Sequence, residues 1–307
     1  MVHPMDRKLR RVIIIILSLL GLLTLGTALF MLRSPVLLVV DDEYIGLYGL
    51  RRSWEKQIAV SAKMFRRFKV VRMADGAAPD VIAFAVNEAA SRPYAALFPF
   101  SYERGARRYA EQFPGTPVRV LGGGGQIRRP AEVPGEENGL VFIETDSAAD
   151  LYRAGRCAAL FALQDGGGIL FFTGDGVNWD DKDAFLKGLR DQGFEDPPMF
   201  VDIGEDYTLS KTLSCVVMAR AVEKYLENDP TVPAILFSWM DPGITPRAIK
   251  VIFDDSPWAL AAAAVKTLHQ REGVSPVPSE ILIPNGRIGD TGLRKNIKRV
   301  IKSTILN

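Results

Sequence analysis

An α/β architecture with parallel sheets is predicted for most of this 307-residue chain, on three observations. From residue 36 onward, short apolar runs recur without the alternation of a half-exposed strand, which is the pattern of strands covered on both faces. Segments with helical apolar spacing separate those runs, so strand and helix alternate. Residues 34–307 exceed one small domain and suit two lobes of about 100–150 residues each. One transmembrane helix is expected ahead of them.

That helix is the apolar run 12–32, VIIIILSLLGLLTLGTALFML, which follows Arg7, Lys8, Arg10 and Arg11. About 20 apolar residues at 1.5 Å rise cross a hydrocarbon core of about 30 Å. Lys and Arg stay on the cytoplasmic side, so the basic segment 1–11 is cytoplasmic and everything after Arg33 lies outside the cytoplasmic membrane. A cleavable signal has a shorter apolar region of about 7–15 residues and a small-x-small site. The end of this run, Thr27-Ala28-Leu29-Phe30-Met31-Leu32, has no such site. The run therefore reads as an uncleaved signal anchor, with the folded part extracytoplasmic, periplasmic in a bacterium.

Strands are expected at 36–40, 68–72, 81–86, 95–98, 118–121, 140–144, 168–173, 199–203, 234–237, 250–253 and 280–283. Helices are expected at 47–67, 102–113, 148–163, 181–192, 209–227 and 258–271. The stretch 122–139, GGGGQIRRPAEVPGEENG, has no period and reads as a loop beside a lobe boundary. This divides the chain into an N-terminal α/β lobe at 36–139 and a C-terminal α/β lobe at 140–288, whose last segment can return to a hinge. The tail 289–307 carries Leu293, Ile297, Val300, Ile301 and Ile305 on one stripe among Lys and Arg. It is a basic amphipathic helix, docked on the body or lying on an anionic membrane surface. Trp54, inside the 47–67 helix, is expected to pack in the core.

The formal net charge of +2 conceals an acidic body, because the cations concentrate before residue 34 and after residue 286. Such a body gives no reason to expect nucleic acid as a partner. The only cysteines, Cys157 and Cys215, fall in separate helix-like stretches and read as small buried apolar residues; one bridge is possible and not implied.

Five weak motifs in order carry a resemblance. Glu144-Thr145-Asp146 precedes a helix with Ala154-Gly155 and Ala158-Ala159. The run 169–178 is followed by a helix ending Gly188-Leu189. Phe253-Asp254-Asp255-Ser256-Pro257 comes next, and the segments 262–268 and 278–284 close the series. In this the chain resembles the type I periplasmic binding protein superfamily, the fold of ribose-type sugar-binding proteins and of LacI-type regulator cores. The resemblance spans about residues 36–288 and implies two Rossmann-like lobes that close on a ligand. The arginine that many sugar binders place in the helix after the Gly174 loop has no counterpart; Asp183 and Phe185 are nearest. The sequence also looks shorter than usual between Asp241 and Trp258. No helix-turn-helix precedes the core, so a repressor role is not expected.

In open α/β sheets, ligands bind beyond the carboxyl ends of the strands. The loops after strands supply Asp42 and Tyr44, then Asn178 and Trp179, then Trp239 and Asp241, and finally Asp255. These seven are the candidate ligand-binding residues. An aromatic face beside carboxylates suits a hydroxyl-rich ring or a cationic or heterocyclic ligand. Each has a plainer reading: the tryptophans as core, Asp181 as a helix cap, and Asp254 and Asp255 as turn residues.

Catalysis is not expected. His269, the one histidine beyond residue 33, lies in a helical stretch away from any nucleophile loop. No His/Cys/Asp grouping has zinc spacing, and Gly122–Gly125 runs into prolines instead of opening a helix. No cofactor and no metal are expected. The function expected is capture of a small polar ligand, sugar-like or nucleoside-like, between two lobes for transport or sensing. A transporter permease or a membrane sensor would be the partner. The alternative is an envelope scaffold with a degenerate cleft.

Overall fold

The computed structural model describes residues 7–42, 45, 51–122, 140–173, 182–202, 212–218, 231–237, 247–254, 256–269, 273–284 and 286–303. Helix α1 (Arg7–Leu32) carries the apolar run, which is 21 residues at mean hydropathy 2.6 with none of it buried against the rest of the chain. Three residues later the chain enters β1 (Val36–Asp41), VLLVVD, buried at every position. Such a strand must be covered on both faces.

The first sheet has the order β2-β1-β3-β4-β5-β11, all parallel. Its strands are β2 (Phe68–Met73), β3 (Ala95–Pro99), β4 (Val118–Gly122), β5 (Leu140–Thr145) and β11 (Gly273–Val277). Helices α3 (Pro79–Ala89) and α4 (Glu103–Gln112) supply Ile82, Val86 and Tyr109 to one face, over Leu37, Val39 and Val120. Helix α7 (Pro257–Ala264) brings Trp258, Leu260 and Ala261 to the other, over Val36, Leu38 and Val40. Helix α2 (Arg51–Met64) flanks this second side against α7.

The second sheet repeats the same winding, β7-β6-β8-β9-β10-β12, with only the last pair antiparallel. Its strands are β6 (Gly168–Thr173), β7 (Met199–Asp202), β8 (Leu213–Met218), β9 (Ala234–Leu236), β10 (Ile249–Asp254) and β12 (Glu280–Leu282). Helices α5 (Ser147–Asp165), α6 (Lys182–Asp191) and α8 (Thr291–Ser303) cover one face through Cys157, Phe161, Phe185, Ile297 and Val300. The tail stripe thus docks on the body.

Several expectations are corrected. Residues 81–86 form the interior of α3 instead of a strand. Pro79 stands in its first turn, where a missing N–H costs nothing, and Ile82, Ala83 and Val86 are buried at helical spacing. Residues 213–218, expected within a helix, form β8, because LSCVVM is an unbroken apolar run with β-branched residues, buried from Ser214 to Met218. Cys215 is therefore on a strand. Strand β11 was unforeseen, since Pro276 demotes it on sequence grounds; it sits at the sheet edge, where a missing donor is tolerated. The boundary at 139/140 does not divide the sheets: β5 pairs with β4, and β11 with β5. Trp54 is 70% exposed on α2, outside the core. His269 lies beyond α7 and is exposed.

Both thiols are free and buried. Burial pushes the Cys157 thiol up to about 12 and that of Cys215 well above its ordinary value. A thiol without accessible thiolate is inert. The folded chain should therefore leave both cysteines unlabelled by a disulfide reagent, with two equivalents reacting only in denaturant.

Candidate functional site

The two sheets share a doubly wound order in which the winding direction reverses between two neighbouring strands. Ligand crevices form at the carboxyl ends of that pair. In the first sheet the pair is β1 and β3; in the second it is β6 and β8.

At the first edge, β1 ends in Asp41, which is buried, and Asp42, which is exposed. The Ser101 hydroxyl, just past β3, donates to Asp41 Oδ2 at 3.4 Å and so bridges the reversal point. Tyr102 follows, its hydroxyl donating to the Ala74 carbonyl oxygen at 2.8 Å. Burial raises the Tyr102 phenol to about 12, assisted by the negative charges of Asp41, Asp75 and Asp42. Three carboxylates therefore converge on this edge. A phenol held above its unfolded value contributes stability that is complete below pH 10 and lost as pH rises through about 12. The Tyr102→Phe difference in an alkaline absorbance titration should report one tyrosine with a midpoint near 12, not 10.

At the second edge, the buried Thr173 hydroxyl at the end of β6 donates to Asp202 Oδ1 at the end of β7, with the Val201 carbonyl oxygen 3.2 Å away. Asp202 is exposed. Asp254, ending β10, is 1% exposed, and its Oδ1 accepts the Ser256 N–H at 3.1 Å. It is a turn former, the plainer of its two readings.

The chain crosses between the sheets three times: at 145–147, 254–257 and 277–280. The crossings are tied together. Asp146 N donates to the Val277 carbonyl oxygen at 2.9 Å, and Asp146 caps α5 by accepting from Ala149 N at 3.0 Å. One turn on, the buried Asp150 carboxylate accepts the Ser279 N–H at 3.0 Å and a hydrogen bond from Arg153. Arg153 also donates to the Ser279 carbonyl oxygen at 2.9 Å, and its guanidinium lies 5.5 Å from the centre of the Phe253 ring. This ion pair bolts the third crossing to α5 and touches the end of β10 before the second. Burial pushes the Asp150 carboxyl up, while Arg153 and the Ser279 N–H pull it down.

The second crossing is fixed at its far end by Arg119 on β4. Arg119 is 1% exposed and donates at 2.8 Å to both the Val118 and the Thr267 carbonyl oxygens. Burial lowers it to about 10, so it stays charged at neutral pH.

Of the seven expected site residues, Asp42 stands at the first edge beside Asp41. Tyr44, Asn178, Trp179, Trp239, Asp241 and Asp255 lie outside the described residues. Trp258, which likewise follows a strand end, that of β10, is 2% exposed in the first lobe's core. Asp75, Ser101, Thr173 and Asp202 were not singled out. Thr173 and Asp202 fall inside the expected strands 168–173 and 199–203, whereas the strand-end rule selects residues beyond them. Asp150 and Arg153 carry no sequence signal, because a helix with acidic and basic residues three apart ordinarily bears them on a solvated face. Among the described residues, no group of three or more His, Cys, Asp or Glu is placed to hold a metal ion.

No protein-family model matches the chain, and no curated protein does. Solved structures match along almost its whole length. A solute-binding protein of an ABC transporter system from Conexibacter woesei is 11% identical, covering 89% of this chain and 96% of its own, at a TM-score of 0.55. A transcriptional activator of the comK gene from Bacillus halodurans is 12% identical, covering 90% and 98%, at a TM-score of 0.53. Two lobes of identical winding, three tied crossings and these likenesses together give the chain the fold of the type I periplasmic binding protein superfamily, preceded by one apolar helix.

Proposed function

We propose that this chain is a membrane-anchored, extracytoplasmic binding protein that captures a small polar ligand between its two lobes. The observation that carries the proposal is the pairing of like edges. Each lobe carries polar groups at the carboxyl ends beside its reversal point: Asp41, Asp42 and Ser101, with Asp75 past the neighbouring β2, on one side, and Thr173 at the end of β6, bonded to Asp202 of the neighbouring β7, on the other. The edges are joined through three short crossings, the arrangement of a hinge.

Carboxylates accept hydrogen bonds and so favour a ligand rich in hydroxyl or cationic N–H donors, such as a sugar or a nucleoside. Tyr44, Asn178, Trp179, Trp239, Asp241 and Asp255 are proposed as further ligand groups, with the aromatic rings as the clamp. Helix α1 supports the anchor by length and hydropathy, and closure of the lobes would be read by a permease or a membrane sensor. The likeness to a solute-binding protein of an ABC transporter supports a transport role.

The test is a thermal-shift screen of the full chain in detergent against sugars, nucleosides, amino acids and polyamines. A ligand at about 100 times its Kd adds roughly 2.7 kcal/mol to the native state. One chemical class should raise the melting temperature, and Asp42→Ala and Asp202→Ala should each abolish the rise. No rise with any class favours the scaffold reading.

A further inference from the structure

Opposite the ligand edge, at the amino ends of the first sheet's strands, a groove of about 680 Å³ opens between the end of α1 and the base of the first lobe. Phe30 and Leu32 form its apolar wall, and Arg33, Arg67, Lys69 and Arg92 bring four cations to it. Among the described residues, no carboxylate lines it. None of the four cations has an ion-pair partner among the described residues; Lys69 Nζ donates only to the Ala89 carbonyl oxygen, at 3.1 Å.

The groove is held in register with the helix. Phe30 packs edge-on against Phe65 at 5.7 Å, and the Arg33 guanidinium lies 5.2 Å from the centre of that ring. Arg66 donates to the Ser34 carbonyl oxygen at 3.1 Å while stacking 3.8 Å over Tyr94. Val36 N donates to the Arg67 carbonyl oxygen at 2.8 Å. With only residues 33–35 between α1 and β1, the connection reaches at most about 10 Å. The cations therefore stand at headgroup level where the apolar helix leaves the bilayer.

We propose that this groove binds the phosphodiester of an anionic phospholipid in the outer leaflet. Arg33, Arg67, Lys69 and Arg92 hold the phosphate, and Phe30 and Leu32 receive the start of an acyl chain. The inference rests on the anchored, amino-end-inside reading above. Cationic side chains at a membrane surface select anionic over zwitterionic lipid. Guanidinium groups suit phosphate because they offer paired N–H donors in one plane. The apolar wall distinguishes a lipid from a free anion, which gains nothing from it. A lobe seated this way carries its ligand edge about 20 Å from the bilayer, the length of a six-residue strand.

The experiment is native mass spectrometry of the full chain released from mild detergent, with phosphatidylglycerol and phosphatidylcholine added in competition. The wild type should retain phosphatidylglycerol by about tenfold over phosphatidylcholine. The variant Arg67→Gln/Lys69→Gln/Arg92→Gln, whose three side chains are exposed, should lose the preference and keep its circular dichroism. Arg190→Gln, an exposed charge on the other lobe, should keep it. Equal retention of the two lipids by the wild type, or an unchanged preference in the triple variant, overturns the proposal. Displacement of the lipid by inorganic phosphate alone assigns the groove to a soluble anion and overturns it too. Alkaline carbonate extraction of membranes reads the anchor separately. A chain released by carbonate sinks the anchored reading and the lipid site with it, while a retained chain without lipid preference sinks the lipid site alone.

Discussion

Gly155→Ala is expected to destabilise the second lobe by about 3 kcal/mol, the upper part of the range for forcing extra atoms into a packed interior. Helices α5 and α6 cross in backbone contact at Gly155 and Gly188. A methyl built on Gly155 overlaps the Phe185 carbonyl oxygen and stands 3.2 Å from Leu189 N; one built on Gly188 overlaps the Tyr152 carbonyl oxygen. Neither obstacle is a side chain that can rotate away, so the helices would have to part. Parting them would also loosen Phe185, which stacks edge-on against Phe171 at 4.9 Å. In an exposed helix the same substitution would gain about 1 kcal/mol from propensity, so a loss is diagnostic of the contact. Urea unfolding followed by circular dichroism checks it, with Gly115→Ala as the control, since a methyl there meets open space. Equal midpoints for Gly155→Ala and Gly115→Ala would mean that the helices do not meet at these glycines.

Asp150→Ala should cost about 3–5 kcal/mol, the range for removing one partner of a buried ion pair. It strips the carboxylate from Arg153, which is 2% exposed, and leaves the Ser279 N–H without its acceptor. Asp150→Asn keeps an acceptor for Ser279 and should cost less. Replacing both charges, as in Asp150→Leu/Arg153→Met, should recover part of the loss but not all of it. An apolar pair removes the unmatched charge yet still cannot serve the Ser279 N–H. The order Ala worst, double variant next, Asn least, read from thermal melts, is the signature of an inter-lobe bolt. Equal melts for the three would place the pair outside the energetics of the junction.

The legible part of this fold was the part written in period. The runs at 36–40, 95–98, 118–121 and 168–173 became strands because continuous apolar sequence serves a sheet covered on both faces. Two failures have one cause. Residues 81–86 and 213–218 are both short apolar runs, and such runs do not distinguish a buried helix face from a buried strand. Pro79 with Asp80 decided the first, and the β-branched pair Val216-Val217 the second. The membership of β11 in the first sheet could not be read from order along the chain, since it depends on pairing between residues more than 100 apart.

The site was legible as a rule about strand ends, and Asp42 followed from it. The rule does not separate residues past a strand that face a cleft from those that turn into the core. Trp258 shows this: its strand-end position is the same as the others', but α7 delivers it under the first sheet. Gly155 and Gly188 stood in the motifs that carried the resemblance, and the helix contact supplies the physical reason for them.

The central claim, that two lobes close on a ligand, is tested most directly by the distance between their carboxyl edges. Spin labels at Ala78→Cys, exposed after β2, and Asp183→Cys, exposed at the start of α6, report it. Cys157 and Cys215 stay silent because they are buried. Pulsed electron resonance on the full chain should show a broad distribution without ligand. It should become shorter and narrower with the class of compound that raises the melting temperature. A bound ligand that leaves the distribution unchanged would contradict closure, and with it the reading of the three crossings as a hinge.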